Sequence, residues 1–182
     1  MASSLIRSTL LSLAVILFTL PAAHAASKVE INAGVKAALA TFYKEVKTGK
    51  ELAGKANGVL VFPEVYKAGF WVGGEYGEGA LLVGGKTVDY YSIAGASFGW
   101  QLGAQVKSQV ILFMTSKSMK QFRNSDGWEA GIDGSVAVVT VGAGGEIDTN
   151  TAKHPVIGFT FSNEGLMVNL TFEGAKISKI DR

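Results

Sequence analysis

The sequence predicts a mainly β domain of the α+β class: a curved antiparallel sheet or barrel, with an amphipathic N-terminal helix and one short helix near residues 116–124. Three observations carry this. Across residues 94–112 the even positions Ala94, Ala96, Phe98, Trp100, Leu102, Ala104, Val106, Ser108, Val110 and Leu112 are apolar but for Ser108, while the odd positions from Gly95 to Gln109 are Gly, Ser, Gln or Lys. That is the period of a strand with one apolar face and one polar or bare face. Second, Ile31, Val35, Leu39, Phe42 and Val46 recur at helical spacings. Third, the 23 glycines, about twice the usual ~7%, are interleaved with Val, Ile, Phe, Tyr and Trp rather than gathered in a tract. A strand of about 19 residues far exceeds the usual ~5–6. Gly95, Gly99 and Gly103 on its bare face are the places for it to bend.

Residues 1–25 read as a secretory signal peptide. Arg7 supplies the positive start, residues 10–20 an apolar core, and Ala23-His24-Ala25, after Pro21, a small-residue cleavage site. A mostly apolar stretch of eleven residues falls short of the ~20 of a membrane anchor. Cleavage is expected after about Ala25, leaving a single domain over residues 26–182 in the periplasm or outside the cell. With no Cys in the chain, lipid-modified cysteine, disulfides and thiolate chemistry are excluded.

In the remaining chain Ser27 is the expected N-cap of the helix, with Glu30 completing a capping box, and Gly49 its left-handed C-terminal stop. A short helical turn follows near residues 51–56. From Gly58 the period becomes that of strands: residues 59–62, stopped by Pro63, then 68–76, then a hairpin of 80–83 and 87–92 around Gly84-Gly85. After the long strand come the helix at 116–124, with Met119 and Phe122 inward, and a turn at Asp126-Gly127. Strands at 136–141, 156–161, 166–172 and 175–180 complete the sheet, with turns at Gly144-Gly145 and Glu164-Gly165.

Few residues invite catalysis. His154, the one histidine outside the signal, precedes Pro155 and reads as a solvated loop residue. Gly84-Gly85-Lys86-Thr87 resembles the end of a phosphate loop, but Ala80 stands where the first glycine belongs and a strand follows instead of a helix. Asp126, Glu129, Asp133, Glu146 and Asp148 lack calcium-loop spacing and read as surface charges beside turns. No zinc-ligand spacing is present. The expected protein is not an enzyme and takes no cofactor. Its charge balance, 17 Lys and Arg against 15 Asp and Glu, gives no basic excess for nucleic acid.

The charge is unevenly placed, however. Lys28, Lys36, Lys44, Lys47, Lys50 and Lys55 outnumber Glu30, Glu45 and Glu51 in the helical N-terminal part. A helix with Ile31, Val35, Leu39, Phe42 and Val46 on one face and lysines off it can lie on an anionic membrane. The same face can equally pack on the sheet. The residue pattern leaves both readings open.

Several ordered segments point to a family. Residues 55–63 (Lys-Ala-Asn-Gly-Val-Leu-Val-Phe-Pro), Lys67-Ala68-Gly69-Phe70, Gly73-Gly74-Glu75-Tyr76-Gly77-Glu78-Gly79 and residues 97–105 (Ser-Phe-Gly-Trp-Gln-Leu-Gly-Ala-Gln) resemble bacterial members of the SYLF domain family, also described as the yeast actin-patch type of actin-binding domain. Leu112-Phe113-Met114-Thr115, Ser125-Asp126-Gly127-Trp128-Glu129-Ala130-Gly131 and Asn169-Leu170-Thr171-Phe172-Glu173-Gly174 extend the likeness. The resemblance implies a mostly β lipid-binding domain whose N-terminal amphipathic helix and nearby basic residues touch phospholipid. By position these are Lys28, Lys36, Lys44 and Lys47 with Ile31, Val35, Leu39 and Phe42. Eukaryotic members work in the cytoplasm, whereas residues 1–25 mark this chain for export. Actin is therefore not carried over, and the expected partner is an anionic phospholipid or other envelope lipid met peripherally. The alternatives are a barrel enclosing a small apolar ligand against Trp71, Phe98 and Trp100, and an outer-membrane barrel or structural envelope protein.

Overall fold

The computed structural model describes residues 25–139, 153–162, 165–166 and 174–182. The signal expected over residues 1–25 lies outside these but for Ala25. So do the Gly144-Gly145 turn, Glu146, Asp148 and most of the strand expected at 166–172.

The fold is mostly strand, a curled antiparallel half-barrel with an N-terminal helix and two shorter ones. In chain order it comprises α1 (Lys28–Glu45), α2 (Gly49–Lys55), β1 (Gly58–Val83), β2 (Lys86–Phe113), α3 (Ser116–Asn124), β3 (Trp128–Glu129), β4 (Ala137–Val138), β5 (Val156–Ser162), β6 (Gly165–Leu166) and β7 (Ala175–Ile180). The capping box at Ser27 is present: Ser27 Oγ accepts from the Glu30 N–H, and the Ser27 N–H donates to Glu30 Oε2 at 2.7 Å. Gly49, expected to end α1 in a left-handed conformation, is instead a buried residue opening α2. A Cβ there would come 3.1 Å from the Phe42 ring, so the glycine is needed for space.

The separate strands expected between residues 59 and 112 are merged into one hairpin of 26- and 28-residue strands. Gly84 and Gly85, with φ of +56° and +77°, form its turn. Pro63 does not stop β1. It lies inside a register slip between Phe62 and Val65, where its missing N–H breaks no ladder bond, and its carbonyl accepts from Ser108 Oγ at 2.6 Å. Further slips at Gly69/Trp71 and Leu81/Leu82 add the local bends that a long coiled hairpin requires.

β2 is the spine. Its first half pairs with β7 (Tyr90 opposite Ile180, Gly95 opposite Ala175), its last part with β5 (Ser108 opposite Phe161, Phe113 opposite Val156). β1 lies along its other edge. The curl brings the two halves of β1 face to face: a Cβ on Gly77 would lie 2.5 Å from the Glu64 carbonyl oxygen, and one on Gly79 would collide with the Val61 carbonyl.

Alternating residues at the root of the hairpin build two cores, one per face. Leu60, Phe62, Leu81, Ile93, Ile111 and Phe113 pack with Met119 and Phe122 of α3 and with Trp128. Val59, Val61, Val110, Leu112, Phe159 and Phe161 pack beneath α1. The simple apolar-in, polar-out pattern expected of residues 94–112 therefore fails at both ends. Ala94, Ala96 and Val106 are exposed, while Lys107 and Gln109 of the polar face are buried. Lys107 is accommodated by Glu75, whose carboxylate lies 2.8 Å from its Nζ.

Burial, with the Asp89 carboxylate nearby, pushes the Tyr91 phenol up to about 12. Its ring lies 4.8 Å from that of Phe122.

Two outcomes are expected. Gly79→Ala lowers the unfolding free energy by about 2–3 kcal/mol through overpacking, read as an earlier urea midpoint at unchanged slope, whereas Gly54→Ala, with open space around it, raises it by up to ~1 kcal/mol. Because the folded Tyr91 keeps its proton to higher pH than the unfolded chain, its contribution is complete below the unfolded value near 10 and lost between there and about 12. Stability falls across that window, and Tyr91→Phe flattens the fall in denaturation measured pH by pH.

Candidate functional site

The residues proposed from sequence all belong to α1 except Lys47, just beyond its end, and the helix is held firmly. Ile31, Val35, Ala38 and Phe42 are buried against the sheet. The Phe42 ring lies 4.7 Å from Phe159 and 5.9 Å from Phe161 between centroids. Gly34 lets the helix backbone come down on Pro63, since a Cβ there would be 2.9 Å from that ring. Polar ties fix the rotation. Thr87 Oγ1 donates to Asn32 Oδ1, and Asn32 Nδ2 donates to the Tyr90 hydroxyl, both at 2.9 Å.

Ile31, Val35 and Phe42 are therefore core residues while α1 is docked, and none of the three faces solvent. Leu39 is half-buried at the edge. Lys28, Lys36, Lys44 and Lys47 are exposed. The structure thus divides the eight sequence candidates into an inner apolar group and an outer basic one.

The outer face holds residues the sequence reading passed over. Val29, Ala33, Ala37, Ala40 and Tyr43 are exposed, Val29 at 78%. At about 100° per residue, Val29, Ala33, Lys36, Ala40, Tyr43 and Lys44 fall within one arc of about 100° on the side opposite Phe42. The outward side is thus apolar and basic at once. Its carboxylates are few and engaged: Glu30 serves the cap, where the Ser27 hydrogen bonds hold it below the usual carboxylate range, and Glu45 sits 3.9 Å from Lys44. Among the described residues Lys28, Lys36 and Lys47 have no ion-pair partner. The missed signal was the run of alanines, which on a helix already supplied with an apolar face makes a second, shallower one.

Beside this face a groove of about 480 Å³ separates α1 from the hairpin turn. Leu39, Ala40, Tyr43 and Leu82 supply its apolar wall, and Lys36 with Thr87 its polar edge. Partial burial there raises the Tyr43 phenol above its ordinary value.

The other residues considered do not assemble. His154 and Asp126 are exposed. Asp133 accepts the Glu129 backbone N–H at 2.7 Å, which closes a turn. The side chains of Trp71, Phe98 and Trp100 lie outside the described residues. Among the described residues no helix is long and apolar enough to cross a membrane.

Residues 94–182 match the family model of Ysc84, described as a Las17-binding protein actin regulator. The match begins inside β2, so α1 precedes it. No curated protein matches the chain.

Truncating Phe42 to Ala is expected to cost about 3–5 kcal/mol of stability, measured by urea unfolding. Lys36→Ala, on the open side of the same helix, stays within about 0.5 kcal/mol of the parent.

Proposed function

Taking as premise that the chain belongs to the SYLF (Ysc84) family through residues 94–182, we propose that it is an exported, non-enzymatic lipid-binding domain. It works in the periplasm or outside the cell and touches anionic membrane through the outward face of α1. The observation that carries this reading is that face itself: Lys36 and Lys44 among exposed Val29, Ala33, Ala40 and Tyr43, with exposed Lys28 and Lys47 at the two ends of the helix and few carboxylates to neutralise them. Small apolar residues settle shallowly among headgroups while lysines meet phosphate.

Each lysine near an anionic surface contributes about 1 kcal/mol. Four give an affinity near the millimolar range, sharpened by Val29 and Tyr43 and weakened by salt. The contact is peripheral and reversible. Coverage of both sheet faces by α1 and α3 at the hairpin root favours such a contact over a barrel that presents its outer face to lipid. The family description names an actin regulator, and the exported location separates this chain from that cytoplasmic partner. The groove beside Lys36 supports a second mode, in which one acyl chain drawn from the surface lies against Leu39 and Leu82.

Co-sedimentation with vesicles of phosphatidylglycerol and phosphatidylethanolamine is expected to pellet the protein at low salt, with several-fold less at high salt. The triple change Lys36→Glu, Lys44→Glu and Lys47→Glu abolishes it. Equal binding to pure phosphatidylcholine at high salt would exclude an electrostatic contact.

A further inference from the structure

We propose that Glu78 is the receptor for the chain's own processed N terminus. Cleavage after Ala25 turns the Ala26 amide nitrogen into an ammonium that ion-pairs with the Glu78 carboxylate. The proposal rests on the export reading and extends it to a defined atom.

Two independent observations meet at Ala26. In the sequence, Ala23-His24-Ala25 places the scissile bond between Ala25 and Ala26. In the fold, the Ala26 N–H donates to Glu78 Oε2 at 3.2 Å, across 52 residues of chain. Ser27 then caps α1 immediately beyond. The residue that a peptidase would make the first is thus already seated on a carboxylate before the bond is cut.

The surroundings of Glu78 suit a cation. Its side chain is only 8% exposed. The Tyr76 hydroxyl donates to Oε1 at 2.7 Å, Arg182 Nη2 bonds the same oxygen, and Arg182 Nε bonds Oε2 at 3.2 Å. Glu30, in the first turn of α1, is the other carboxylate close in sequence, and it is occupied by Ser27. An amide offers Glu78 one hydrogen; an ammonium offers three and a full charge. The bond to the carboxylate is charge-assisted in either case; the ammonium adds a direct attraction between opposite charges. Hydrolysis supplies the change in full. Water adds across the Ala25–Ala26 amide, its oxygen passing to the Ala25 carboxyl, and the released Ala26 amine takes up a proton at neutral pH.

The processed end, the C-terminal Arg182 and strand β1 then close on one buried carboxylate. The uncleaved chain lacks the charge, so processing tightens the fold at the root of α1, the helix that carries the lipid-facing lysines.

The test uses the full chain produced in a bacterium that exports it. Protein from the periplasm is sequenced from its N terminus, and its α-amine is titrated through the pH dependence of the Ala26 methyl shift. The sequence is expected to begin Ala-Ser-Lys-Val. The wild-type amine is expected to titrate about one unit higher, a tenfold change in proton affinity, than the amine of Glu78→Gln. Arg182→Gln, which removes the competing cation, moves it upward again. Loss of folding would not give shifts of opposite sign in the two variants. A chain that begins at Ala26 with an ordinary α-amine, indifferent to Glu78→Gln, overturns the receptor and leaves export standing. A periplasmic chain that begins elsewhere overturns the receptor and leaves export standing, whereas a chain that stays uncleaved in the cytoplasm overturns both.

Discussion

Everything in this fold depends on the crossing of β1 over itself. At Gly77 and Gly79 the second half of the strand rests directly on the carbonyls of Glu64 and Val61, a separation that no side chain could share. That contact folds a long two-stranded ribbon, which alone would be marginal in water, into two layers. Leu60, Phe62 and Val65 then meet Leu81 and Ile93 in one interior. It also leaves the opposite face of the hairpin root turned outward, where Val59, Val61, Val110 and Leu112 need a cover. That cover is α1.

The need for a cover accounts for the division of labour on α1. Its large apolar residues answer the sheet, with Phe42 wedged among Phe159 and Phe161. What remains outside is mostly Ala, Val, Tyr and Lys, with Thr41 and the cap residue Glu30. Strain and charge are placed with the same economy elsewhere. Lys107 and Glu75 neutralise each other inside the curl, and Asp89 collects Arg123 and Lys179 at its rim.

Much of this was legible in the residues. The period-2 run, the Gly84-Gly85 turn, the Ser27-Glu30 capping box and the inward Met119 and Phe122 each carry a local signal that their surroundings do not override. Pro63 and Gly49 misled because their local meanings, strand stop and helix stop, yielded to tertiary needs: a register slip in one case and room for Phe42 in the other. The alternation over residues 94–112 located β2, but Lys107 and Gln109 share the odd-numbered face with Ile93, Ile111 and Phe113, which the curl turns inward, while α1 covers Val110 and Leu112 on the other, so both faces of the root are buried. The helix site was half legible. Periodicity identified the apolar residues of α1 without saying what they meet, and it hid the outer alanine face because alanine is neutral to such a pattern.

Whether α1 stays docked at a membrane is decided by magnitudes. Lifting the helix off would allow Ile31, Val35 and Phe42 to regain an apolar environment in lipid, so their own transfer roughly cancels. The sheet beneath has no such recourse. Val61, Val110, Leu112, Ile157, Phe159 and Phe161, all at most 1% exposed, would face water or headgroups, at about 1.5–3 kcal/mol for each side chain fully uncovered. Uncovering even three of them outweighs the roughly 4 kcal/mol that four lysines would contribute at an anionic surface, and those lysines are already exposed on the docked helix. Undocking therefore adds a cost without adding a charge contact. On the proposed lipid-binding reading, the form that meets a membrane is the folded one, its helix between sheet and lipid with a different face turned to each.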